Sequence, residues 1–130
     1  MGDAAPLDMQ FMPPTILIVE DEWLVREEIA EEFRREGWTV LESSTGEGAV
    51  GLLESGEAID ALITDIQLAG RMSGWDVAEE FRARCPDIPI VYTSGTSVQD
   101  ARVVAKSTFV SKPCQAHQLM DACRKCATAH

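Results

Sequence analysis

Five short apolar runs recur along the chain, at residues 15–19, 38–41, 61–64, 90–93 and 108–110, with helical patterns between them. Four of the runs lead straight into polar groups: Glu20-Asp21 after the first, Asp65 after the third, Ser94-Gly95 after the fourth and Ser111-Lys112-Pro113 after the fifth. Runs one and three are continuously apolar and β-branched, the pattern of strands covered on both faces. Between them, residues 22–36 place Val25, Ile29 and Phe33 four apart, an amphipathic helix stopped by Gly37. Residues 45–54 give a second helix with Ala49, Leu52 and Leu53 inward, and residues 73 or 74 to 84 a third with Val77, Ala78 and Phe81 inward, stopped before Pro86. Residues 115–127 give the last, with Leu119, Ala122 and Cys123 or Cys126 inward. Residues 97–105 carry only scattered apolar positions and are expected to form one or two loose turns.

Strands alternating with helices imply right-handed crossovers and a parallel sheet with helices on both faces. The expected fold is α/β, a flavodoxin-like doubly wound five-stranded sheet in the order 2-1-3-4-5, with the helix before the fifth strand shortened. The length of 130 residues suits one domain, and 45% apolar residues can bury one core without disulfide staples. Residues 15–127 are read as that domain, 1–14 as a flexible leader with three prolines, and 128–130 as a tail. The leader has neither the basic start nor the continuous apolar stretch of a signal peptide, and no run is long enough to span a membrane. A cytoplasmic location is expected.

Eleven basic against 22 acidic residues leave a net charge of −11, which opposes binding to nucleic acid or to anionic membrane surfaces. It suits a chain that meets a cation or basic partners. The spacing of Cys85, Cys114, Cys123 and Cys126 is not that of a secreted disulfide framework, and in the cytosol these thiols stay reduced. One Cys-x-x-Cys with His117 and a terminal His130 is a poor zinc signal, so Cys123 or Cys126 is expected to pack as a small apolar residue.

Open parallel sheets place their sites at the carboxyl ends of the strands, where the strand order reverses. Strands one and three are neighbours in the expected order, so Glu20, Asp21 and Asp65 crowd one edge. Crowded carboxylates need a cation, and hard oxygen ligands with room for water suit Mg²⁺. A carboxylate can act as a nucleophile and form an aspartyl-phosphate, the role that suits Asp65. Lys112 can supply positive charge to a phosphoryl oxygen and Ser94 a hydroxyl hydrogen bond.

The sequences ILIVEDE (16–22), LITDIQL (62–68) followed by Ser73-Gly74, PIVYTSG (89–95) and FVSKP (109–113) together resemble the receiver domain of two-component response regulators, in family order over about residues 15 to 126. The resemblance implies that Asp65 is the phospho-acceptor and that Glu20 and Asp21 hold Mg²⁺ with it. It adds the Ile66 backbone carbonyl as a further ligand. It makes Ser94 the hydroxyl switch, Phe109 the aromatic that turns inward on activation and Lys112 the phosphate-contacting lysine. It also makes the Lys112–Pro113 bond a candidate for cis. A histidine kinase or phosphotransfer protein would be the donor and another protein the downstream partner, with the domain a monomer or weak dimer and not a turnover enzyme. The alternative is a phosphorylation-independent interaction module or a phosphate sink.

The chain departs from the family pattern at several points. Ala69 stands where a proline is usual, and the loop after Asp65 is one residue longer. The stretch from Ser94 to Lys112 is about four residues shorter, which puts the usual output face in doubt. Cys114 replaces a common aromatic. These features resemble stand-alone receivers of a divergent branch. Gln67, two residues past Asp65, is a candidate for tuning hydrolysis of the phosphoryl group.

Overall fold

A computed structural model describes residues 13–95 and 102–128. Its elements run β1 (Thr15–Val19), α1 (Trp23–Arg35), β2 (Thr39–Ser43), α2 (Gly46–Glu54), β3 (Ala61–Asp65), α3 (Gly74–Arg84), β4 (Ile90–Ser94), β5 (Ser107–Ser111) and α4 (Ala116–Thr128). All strand pairs are parallel and the order is β2-β1-β3-β4-β5, as expected. The leader to residue 12, the end of the tail and residues 96–101, where the shortened helix was expected, lie outside the described residues.

Alternation along the central strands divides the core in two. Ile16, Ile18 and Ile63 face Ile29, Phe33, Leu119 and Cys123 under α1 and α4. Leu17, Val19 and Leu62 face Ala49, Val77 and Phe81 under α2 and α3. β3 and β4 are buried along their whole length, which is why their sequences carry no polar alternation. The second strand overlaps the apolar run at residues 38–41 but is shifted toward its carboxyl end. It runs from Thr39 to Ser43, because an edge strand tolerates the polar Glu42 and Ser43, while Trp38 turns off to pack edge-on against Phe33 at 5.2 Å.

Helix ends follow their capping chemistry. Gly37 takes a φ of +91° after α1, and its amide and that of Trp38 bond back to Arg34 and Phe33. Ser73 and Asp76 form a capping box at the start of α3.

Residues 102–106 form no helix. Two arginines anchor them instead. The Arg82 guanidinium donates to the carbonyls of Ala105, Lys106 and Cys85, joining the end of α3 to the start of β5. Arg102 forks onto Asp76 at 2.7 Å and Glu79 at 2.8 Å on α3. Cys123 and Cys126 are buried free thiols, as expected of small apolar residues. Burial pushes the Cys123 thiol up to about 12.

Candidate functional site

Two strand ends and one bend build the site. β1 delivers Glu20 and then Asp21, β3 ends on Asp65, and the bend after β5 delivers Lys112. The ladder continues past β3, where the Ile66 amide bonds the Thr93 carbonyl at 3.0 Å, so Asp65 is fixed from both sides. The Lys112 amide bonds the Ser94 carbonyl at 2.8 Å, which ties the fourth and fifth strand ends together. Lys112–Pro113 is cis, as the resemblance implies.

One carboxylate oxygen from each of Glu20, Asp21 and Asp65 lies within 4.8 Å of the others. Among the described residues this is the one such group of potential metal ligands. The Lys112 ammonium bridges two of its members, at 2.7 Å from Glu20 Oε1 and 2.9 Å from Asp65 Oδ2. Burial would lower Lys112, but the hydrogen bonds and charges of both carboxylates outweigh it and hold the ammonium above its usual range. Glu20, 3% exposed, moves the other way from ordinary. Desolvation raises its pKa, the Lys112 and Glu22 hydrogen bonds pull it back, and the charge of Asp65 adds to the rise.

Three carboxylates against one ammonium leave an excess of negative charge in a partly buried place. All the donors are hard oxygens, which fits Mg²⁺ and does not fit a soft metal. The Ile66 carbonyl, the further ligand that the resemblance implies, accepts the Gly74 amide at 2.8 Å and keeps a second lone pair. That bond arises because α3 starts against the Asp65–Ile66 backbone.

A raised Glu20 pKa gives a pH prediction. The ionised carboxylate costs the metal-free fold stability at pH above its titration, and protons compete with a cation at a pH higher than the ordinary 4.5 would set. In calorimetric titrations stepped down from about pH 8, Mg²⁺ affinity should decline early, and Glu20→Gln should remove that early decline. An unchanged pH profile in the variant would show that Glu20 is not the competing group.

Ser94 is buried at the end of β4, one residue beyond Thr93, the register partner of Asp65. Phe109 is not inward: it is 39% exposed, with its ring stacked on Tyr92 at 5.1 Å and edge-on to Trp75 at 5.8 Å. This aromatic bed was missed from the sequence, where Tyr92 is one member of an apolar run and Trp75 lies near the start of a helical pattern. Arg26 was missed as well: it donates to the Glu20 carbonyl at 2.7 Å, yet reads as one more charge on an amphipathic helix. Gln67 is exposed, and its amide lies 3.4 Å from Asp65 Oδ1.

Comparison with known proteins agrees with this geometry. A response regulator receiver protein from Sinorhizobium medicae superposes with a TM-score of 0.85 at 32% identity, over 92% of this chain and 98% of that one. Response regulator protein TrrA from Thermotoga maritima, solved in complex with Mg²⁺–BeF, gives 0.77 at 31% identity over 87% and 98%. A cyclic di-GMP phosphodiesterase of Thermotoga maritima is 32% identical over 105 residues, which is 76% of this chain and 27% of that protein. The chain spans less than half the length of the curated relatives it matches. The family model described as the response regulator receiver domain matches residues 16–124. A match that begins one residue into β1 and ends inside α4 takes in all of the sheet but Thr15 and every strand end of the site, and the chain belongs to the response regulator receiver domain family.

Proposed function

We propose that this domain accepts a phosphoryl group on Asp65 and relays its presence to a protein partner as a change of shape. The observation that carries the reading is the meeting of Glu20, Asp21 and Asp65 within 4.8 Å, with Lys112 already bridging two of them. The Mg²⁺-bound state of the related TrrA supports the same use of such a site.

The donor is a phosphorylated histidine on a kinase or phosphotransfer protein. An Asp65 carboxylate oxygen forms the new bond to phosphorus. The bond from phosphorus to the imidazole nitrogen breaks, and that nitrogen keeps the electron pair and takes up a proton. Mg²⁺ held by Glu20, Asp21 and Asp65 would supply positive charge to the phosphoryl oxygens. Lys112, 2.9 Å from Asp65 Oδ2, follows the charge from the carboxylate to a phosphoryl oxygen. Ser94 offers its hydroxyl to another, drawing the end of β4 inward. The space it leaves allows Phe109 to turn from its outward position on Tyr92 and Trp75. Water reaching the phosphoryl group past the exposed Gln67 resets the domain by slow hydrolysis.

The test is the intact mass of the protein after incubation with acetyl phosphate, with and without Mg²⁺. A gain of about 80 Da, one PO₃H, only with the metal is the expected result. No gain from acetyl phosphate, and none from a purified phosphohistidine donor, would overturn the reading.

A further inference from the structure

The carboxylates can meet only if the main chain turns correctly after β1, and the structure shows what holds that turn. The Glu20 amide donates to the Ser43 carbonyl of β2 at 3.1 Å. The Glu20 carbonyl, on the other side of the same residue, accepts the Arg26 guanidinium at 2.7 Å. Arg26 reaches back from the first turns of α1, and its Nε pairs with Glu42 Oε1 of β2 at 3.2 Å. Arg34, also on α1, takes the other Glu42 oxygen at 2.9 Å. The Arg26 side chain is 15% exposed, so both of its bonds form largely out of water.

We propose that Arg26 is a positioning residue for the acidic pair, setting the Glu20–Asp21 turn through the Glu20 carbonyl while Glu42 fixes the direction of its guanidinium. This rests on the reading that Glu20, Asp21 and Asp65 hold Mg²⁺. Arg26 touches no ligand oxygen in that scheme. It acts on the peptide that carries two of the three ligands, as outer-shell partners of metal ligands do. A planar fork serves two acceptors in fixed directions, which a lysine ammonium cannot reproduce.

The sign of the effect separates this role from its competitors. Deleting a positive charge near a cation site would by charge alone tighten Mg²⁺ binding. A residue that only supports the fold would lower the melting temperature and leave the affinity of the folded protein unchanged. A positioning residue weakens binding despite the lost charge.

The experiment is calorimetric titration of Mg²⁺ into the wild type, Arg26→Ala and Arg26→Lys, each first melted in chelator to establish the folded fraction. Arg26→Ala should bind about tenfold more weakly, and Arg26→Lys should fall between it and the wild type. Should Arg26→Ala fail to fold, Arg26→Lys decides, with about threefold weaker binding expected. If the wild type takes no Mg²⁺, the metal reading falls and this proposal with it. If the wild type binds and the deciding variant matches or exceeds its affinity, the role of Arg26 alone is refuted.

Discussion

Asp65→Asn should gain no phosphoryl mass under conditions in which the wild type gains about 80 Da with acetyl phosphate and Mg²⁺. The substitution keeps the shape of the side chain and one oxygen to accept from Lys112, which now bonds Asp65 Oδ2 at 2.9 Å. It removes the negative charge and with it the nucleophile, since an amide oxygen does not form a stable bond to phosphorus in its place. It also takes one carboxylate from the group of three that would hold Mg²⁺, so binding of the metal should weaken in the same variant. The fold should survive, because the backbone bonds that fix this position belong to Ile66, Gly74 and Thr93 and not to the carboxylate. Circular dichroism checks that point, and intact mass checks the chemistry. Labelling of Asp65→Asn at the wild-type rate would move the acceptor to another side chain.

Gly74→Ala should be the most damaging single methyl in the described domain. A Cβ at Gly74 would overlap the Asp65 carbonyl oxygen and stand 2.7 Å from Ile66 Cα. Both neighbours are main chain at the end of a buried strand, so no side chain can rotate away. Overpacking usually costs about 1–3 kcal/mol, and a clash with fixed backbone belongs at the top of that range, near 3 kcal/mol. In a domain of this size that corresponds to a fall in melting temperature of roughly 10 °C. Phosphoryl uptake should fall beyond the loss of folded protein, because relief of the clash must push α3 away from Asp65. A melting temperature within a degree or two of wild type, read by calorimetry, would show that α3 does not start where the structure puts it.

Most of the fold was legible because burial on both faces leaves a plain signature. The runs that became β1, β3 and β4 are apolar nearly throughout, and the helices announce their inner faces at helical spacing. The strand with the weakest signal, β2, is the edge strand, where Glu42 and Ser43 are free to be polar. The acidic group and Lys112 were legible for another reason: each lies at or just past the end of a strand, and topology alone gathers strand ends. What escaped the sequence are contacts whose partners are backbone. Arg26, Arg82 and the Ile66 carbonyl engage main-chain groups, which every residue has, so no residue type marks the meeting. The bed of Trp75 and Tyr92 escaped because aromatic core and aromatic platform look alike until Phe109 is placed on them.

The Lys112 bridge also bears on how the chain reaches its fold. Its two bonds span 92 residues to Glu20 and 47 to Asp65, so they close long loops of the chain and cannot form until β5 docks. In chain order Glu20 and Asp65 both precede Lys112 by long stretches of sequence. Any state with β1 and β3 paired and β5 undocked would hold its acidic edge without the lysine that balances it in the finished domain. The counter-charge arrives with the last strand, and ions from solution must serve in its place until then.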